Sequence, residues 1–270
     1  MRKIVLVFVI IGIIFSIGVF FLTKDQREKS AGNVDEIEDK GLRLDNDRWY
    51  IIDDATKIRR YEYSDEDNSG IIQLIRIDPK EYEMKIEYSS EASYISDKEL
   101  SDPGFVLNSG YFDKDYNPIG FLLVENERLD NHISAQTETG LVVYDEGEFE
   151  LRDLGENPIT GSERFDYALQ TFPFIIKSGE GNISPNSTDK ARRTAIGVDK
   201  NGFVYIIVSP QFFLSLYDFM NELQNTDIDF EYVLNLDGGT STGIKYGYEN
   251  FNQIFDSLVK VPTFLRFERN

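Results

Sequence analysis

The stretch Tyr232-Val233-Leu234-Asn235-Leu236-Asp237-Gly238-Gly239-Thr240-Ser241-Thr242 passes from a largely apolar run into an acid, two glycines and three hydroxyls. A buried strand is rigid, so its end can hold a carboxylate at the lip of a pocket. Glycines at that point let backbone approach a ligand closely. Asp-Gly is equally a two-residue hairpin signal, and this stretch by itself leaves both readings open.

Upstream segments of similar design tip the balance towards a site. Phe105-Val106-Leu107-Asn108-Ser109-Gly110-Tyr111-Phe112 is another apolar run that breaks into an amide and a glycine, and Pro118-Ile119-Gly120 follows after a short polar loop. Gln170-Thr171-Phe172-Pro173 precedes the apolar Phe174-Ile175-Ile176. Ala191-Arg192-Arg193-Thr194-Ala195-Ile196-Gly197-Val198 places an arginine pair at the mouth of a further strand. In this order the segments resemble the phosphodiester glycosidase family, over roughly Phe105 to Gly247.

The resemblance implies hydrolysis of a sugar-1-phosphodiester, with release of the sugar and a phosphomonoester. Asp237 matches the acid of the family's Leu-Asp-Gly-Gly motif, and the roles open to it are nucleophile, general base and metal ligand. Arg193 matches the arginine of Arg-Thr-Ala-x-Gly and suits a phosphate clamp, because its planar fork offers two parallel hydrogen bonds. Asn108 completes the expected catalytic set. Gln170, Ser241, Tyr111 and Arg192 are expected to bind substrate, together with the backbone at Gly110, Gly238 and Gly239. A phosphate leaving group is already acidic, so strong general-acid help is less necessary than in an ordinary glycoside. Glu163, Asp166 and Asp113 lie near the motifs, yet no pattern selects one as a partner acid. A divalent metal is compatible with the acid, and no cofactor is required by the sequence.

The 270 residues, 41% hydrophobic and 13% aromatic, suffice for one sizeable core. The amino end stands apart from it. After Arg2 and Lys3, the run Ile4 to Leu22 carries no charge and is long enough to cross the hydrocarbon layer, which takes about 17–25 residues. It exceeds the apolar region of a signal peptide and ends in Phe20-Phe21-Leu22 without a small-residue cleavage site. The expectation is a single-pass membrane anchor with residues 1–3 in the cytoplasm. An acidic stalk over 23–47 and a domain over 48–270 outside the cytoplasm should follow.

A net charge of −20 opposes nucleic acid as a partner, since no bulk basic surface is present to release its counterions. The expected partner is a sugar phosphate or glycan, in a cell-surface or exopolysaccharide context, met by a local basic focus such as Lys190-Ala191-Arg192-Arg193. The absence of cysteine rules out disulfides and thiolate chemistry and favours a bacterial envelope. His132, the single histidine, reads as a loop residue, with no pattern for a Ser-His-Asp triad around it. Neither a phosphate-cradling nor a dinucleotide-binding glycine motif occurs.

Strand patterns follow one another from residue 57 onward: 57–63, 70–77, 83–88, 140–144, 148–151, 174–176, 194–198, 203–208, 231–236 and 263–267. Glu83-Met84-Lys85-Ile86-Glu87-Tyr88 shows the period-two alternation of a half-buried strand. One helix is predicted. Ser209 is its expected cap, Pro210 suits its first turn, and Phe212, Phe213, Leu216, Phe219, Met220 and Leu223 form its apolar stripe. The predicted fold class is α+β: a strand-rich single domain with a mixed β-sheet and few helices, preceded by the transmembrane helix.

Overall fold

Alternating apolar positions make this chain a stack of sheets. The computed structural model describes residues 47–64, 69–129, 140–160, 163–248 and 251–270. In chain order the strands begin with β1 (Trp49–Ile51), β2 (Thr56–Ser64), β3 (Ser69–Ile77), β4 (Tyr82–Ser93) and β5 (Gly104–Asn108). They continue with β6 (Leu122–Val124), β7 (Glu127–Arg128), β8 (Gly140–Asp145), β9 (Glu148–Asp153) and β10 (Tyr167–Thr171). After β11 (Phe174–Lys177), β12 (Glu180–Gly181), β13 (Ala191–Asp199) and β14 (Val204–Leu214) comes α1 (Leu216–Gln224). The chain closes with β15 (Phe230–Asn235), β16 (Ile244–Tyr248), β17 (Phe251–Phe255) and β18 (Val261–Arg269).

An eight-stranded sheet has the order β1-β2-β3-β14-β13-β15-β11-β12. Two five-stranded sheets, β7-β6-β10-β8-β9 and β17-β16-β5-β18-β4, complete the fold. All three contribute to one core. Ile75, Ile196 and Ile206 come from the large sheet, Leu122, Val142 and Leu169 from the second, and Met84, Leu107 and Leu265 from the third. The opposite face of the large sheet carries Leu74, Ala195, Ile207 and Val233, and α1 covers it with Phe219, Met220 and Leu223.

Every named strand pairing among the described residues is antiparallel, which corrects the expectation of a mixed sheet. Parallel neighbours need a long crossover, usually helical; α1 does cross over, from β14 to β15, but β13 lies between these two strands and pairs antiparallel with both. The predicted helix start is also corrected. β14 runs on to Leu214, so Ser209, Phe212 and Phe213 are strand residues. Ser215 is the true cap: its hydroxyl accepts from Asp218 N at 3.0 Å, while the Asp218 carboxylate accepts in return from the Ser215 hydroxyl and amide. Among the described residues no helix is long and apolar enough to cross a membrane. The run Ile4–Leu22, the stalk up to residue 46 and His132 lie outside the described residues.

Close approach between sheets depends on Gly140. A Cβ there would stand 2.6 Å from Leu234 and 2.8 Å from Phe174, both fully buried and without room to move. Gly140→Ala is therefore expected to lower stability by about 1–3 kcal/mol through overpacking, seen as a lower urea midpoint at unchanged slope.

Candidate active site

The site forms where β5, β13 and β15 end together. The β13–β15 ladder pairs Ala195 with Asn235 and continues one step further, as Leu236 N donates to Thr194 O at 2.9 Å. The next residues along, Arg193 and Asp237, therefore leave the ladder opposite one another. Asp237 N then donates to Ser109 O at 2.8 Å, which ties the acid to the end of β5.

The turn after Asp237 is shaped by its glycines. A Cβ on Gly238 would lie 3.0 Å from Arg192 O, and Gly239 has φ +61°, a left-handed conformation suited to glycine. This turn brings Ser241 back to hydrogen-bond the Asp237 carboxylate. Burial pushes that carboxyl up to about 6, against the opposing pull of Ser241 and the Gly238 amide.

Arg193 is 9% exposed. Its Nε donates to Leu214 O at 3.1 Å and one terminal nitrogen donates to Asp189 O. Burial lowers its pKa, with Tyr111, Asp189 and Asp218 pulling the other way. Both partners are carbonyl oxygens, so among the described residues a nearly buried cation is held in place without a salt-bridged carboxylate.

Tyr111 links the two charges. Its phenol pKa is raised by burial first and then by the Asp237 carboxylate, and lowered by the Arg193 guanidinium, so it lies within electrostatic reach of both. The ring packs on Phe172 at a centroid distance of 4.9 Å, and the hydroxyl donates to Phe172 O at 3.0 Å. Asn235 Nδ2 donates to the same hydroxyl at 2.6 Å and to Phe172 O at 3.1 Å.

Asn108 is completely buried, and protein partners occupy its amide. Its oxygen accepts from the Thr194 hydroxyl at 2.9 Å and from Gly243 N at 3.0 Å, and its nitrogen donates to Asp237 O at 2.5 Å. It reaches the site through the backbone of Asp237. Gln170 is likewise buried, its oxygen accepting from Phe121 N at 3.0 Å, which fixes the segment after Gly120. Gly110 serves packing, since a Cβ there would stand 2.7 Å from Leu169.

Arg192 is not brought beside Arg193. Successive strand residues face opposite ways; the Arg192 side chain lies over Phe255 at 4.0 Å and donates to Asp256 O at 2.8 Å. It is 2% exposed, and burial pushes its pKa down to about 9.

The three carboxylates near the motifs are occupied elsewhere. Glu163 pairs with Arg152, Asp166 accepts from Asn126 and Glu146, and Asp113 caps its own loop through Asp115 N and Asn117 N. Among the described residues no three His, Cys, Asp or Glu side chains gather as a metal site. The sequence motifs did not single out Asn235, Thr194 or Thr242. For Asn235 and Thr194 the signal was local, a polar residue interrupting an otherwise apolar strand beside a motif acid or arginine, whereas Thr242 follows the glycine turn outside any strand.

The sequence pattern described as phosphodiester glycosidase matches residues 103–268. No curated protein sequence matches the chain. Among solved structures, the fold is similar to the zebrafish N-acetylglucosamine-1-phosphodiester alpha-N-acetylglucosaminidase catalytic domain, auto-inhibited by its pro-peptide. The TM-score is 0.61 at 14% identity, over 80% of this chain and 83% of that one. A hypothetical protein from Synechocystis gives a TM-score of 0.51 at 13% identity, over 80% of this chain and 62% of that one. At such identities the structural likeness establishes the fold, and the sequence pattern establishes kinship. That pattern spans β5 to β18 and takes in Asn108, Arg193 and Asp237, and the chain belongs to the phosphodiester glycosidase family.

Proposed function

We propose that the domain hydrolyses sugar-1-phosphodiesters, with Arg193 holding the phosphate and Asp237 acting on the sugar side. The observation that carries this reading is the pair around Tyr111: a 9%-exposed guanidinium held by carbonyls alone, and a carboxyl pushed up to about 6. In a chain of net charge −20, an arginine left without a salt-bridged carboxylate among the described residues is available to an anion.

The reaction breaks the bond between the anomeric carbon and the phosphate oxygen. The electron pair leaves with the phosphate, and water supplies hydroxyl to the sugar. Asp237, ionised near neutrality, accepts the water proton or first traps the sugar cation; both roles need its anionic form. Arg193 compensates the charge that accumulates on the departing phosphate. Among the described residues no second acid is positioned beside Asp237, and a phosphate leaving group needs little protonation. Asn108 is a positioning residue in this scheme, holding the Asp237 carbonyl, and Tyr111 with Ser241 orients the charged pair.

The charge-free run Ile4–Leu22 supports a membrane anchor with the domain outside the cytoplasm, where cell-surface or exopolysaccharide phosphodiesters would be the substrates. Incubation of the protein with a UDP-sugar is expected to release reducing sugar, and removal of residues 1–46 is expected to free that activity from the membrane fraction. Protease added to intact cells should digest the domain. Protection of the domain until the membrane is lysed would overturn the orientation, and absence of turnover on every phosphodiester offered would leave a glycan-binding role instead.

A further inference from the structure

Asn235 closes β15 with a buried amide, and its own backbone is pinned on both sides of the turn between β10 and β11. Its main-chain N–H donates to Pro173 O at 3.0 Å, and its carbonyl accepts from the Thr171 hydroxyl at 2.8 Å. The side chain therefore stands in one place, against Phe172 O and the Tyr111 hydroxyl.

The direction of each bond follows from which atoms carry hydrogen. Phe172 O has none to give, so the group 3.1 Å from it is the Asn235 amide nitrogen. The second hydrogen of that nitrogen points to the Tyr111 oxygen at 2.6 Å. Having accepted there, the phenol turns its own hydrogen to another acceptor. The two within reach are main-chain carbonyls, Phe172 O at 3.0 Å and Leu236 O at 3.4 Å. Its proton is thus committed to backbone, and one phenol lone pair remains that no donor among the described residues meets.

That lone pair sits where a ligand must pass. Tyr111 is partly exposed and lies within electrostatic reach of both the Asp237 carboxylate and the Arg193 guanidinium. A phosphodiester oxygen brings no hydrogen and is repelled by a bare lone pair, whereas a sugar hydroxyl can donate to it.

We propose that Asn235 is a positioning residue that locks the Tyr111 hydroxyl as an acceptor, so that Tyr111 selects a donating hydroxyl of the sugar and keeps the phosphate on the Arg193 side. This rests on the hydrolase reading of Asp237 and Arg193. Tyr111 gives no proton to the departing phosphate in this arrangement.

Two measurements on the full-length protein test it. Neutron diffraction from the deuterated, ligand-free protein should place the Tyr111 hydroxyl deuteron towards Phe172 O or Leu236 O, with the two Asn235 amide deuterons on Phe172 O and the phenol oxygen. A hydroxyl deuteron aimed at Asp237 overturns the lock. Calorimetry then compares a non-hydrolysable phosphonate analogue of a hexose-1-phosphodiester with analogues in which one sugar hydroxyl at a time is replaced by fluorine, which accepts and cannot donate. At one position fluorine is expected to weaken binding about tenfold, equivalent to about 1.4 kcal/mol. Tyr111→Phe should abolish the difference at that position. Asn235→Leu frees the hydroxyl to turn towards fluorine and should reduce the difference to about threefold or less. A wild type that discriminates at no position, or a discrimination unchanged in either variant, overturns the proposal and leaves the hydrolase reading standing. If the parent phosphonate does not bind at all, the hydrolase reading fails, and the neutron result still decides the lock.

Discussion

Asp237→Asn is expected to abolish turnover while making the protein more stable. The substitution keeps the shape of the side chain and removes the anion that the chemistry needs, so kcat should fall on the order of 1000-fold. The stability change follows from the raised carboxyl. Its folded pKa of about 6 exceeds the ordinary value of 3.8, so the folded state binds the proton more tightly than the unfolded chain. The stabilising contribution is fully present below about pH 4 and is lost as pH rises through about 6. At pH 8 the wild type therefore carries an unfavourable, partly buried anion, of order 3 kcal/mol at most, and Asn relieves part of it. Denaturant unfolding should show the variant more stable than wild type at pH 8 and equal to it near pH 4. Equal stability at both pH values would contradict the desolvated acid, and unchanged turnover would contradict its role.

Arg193→Lys should be severe for a substitution that keeps the charge. The guanidinium is held by Leu214 O and Asp189 O, which leaves further N–H groups of the same rigid fork to meet a phosphate. A lysine ammonium cannot keep both carbonyl contacts and present two parallel donors. Loss of a charge-assisted hydrogen bond of about 1.5–3 kcal/mol predicts a kcat/KM roughly ten- to a hundredfold lower. The loss should be smaller for a substrate analogue lacking the phosphate charge. A uniform loss across charged and uncharged analogues would point to collapse of the site rather than to a lost clamp.

The legible parts of this chain are those whose signal is local. Period-two alternation marked β4, whose Met84 and Ile86 face the core while Glu83, Lys85 and Glu87 stay partly exposed, and continuous apolar runs marked β3, β8 and β15, which are buried on both faces. The apolar run into Asp237 likewise announced a strand that ends in a tight glycine turn. The helix boundary misled because Ser209-Pro210 imitates a cap and first turn, whereas β14 carries the chain through them as a bulged strand and the reciprocal Ser215–Asp218 pair does the capping.

What the sequence hides is the partner of each polar group. Asn108 reads as a substrate-facing amide, yet its bonds run to Thr194, Gly243 and Asp237 O, partners brought near by pairings far along the chain. Arg192 and Arg193 are neighbours in sequence and point to opposite sides, so only register separates the guanidinium at Asp256 from the one near Tyr111. Asn235, which clamps Tyr111, lies two residues from Asp237 within an apolar strand, where period two alone would have placed the pair on one face.

The central claim is that the bond broken joins sugar to phosphate oxygen, with Asp237 directing water to the sugar. Turnover of a sugar-1-phosphodiester in oxygen-18 water tests it directly. The account predicts the label in the anomeric hydroxyl of the released sugar and none in the phosphomonoester; label in the phosphate would mean that phosphorus is attacked, and would contradict it.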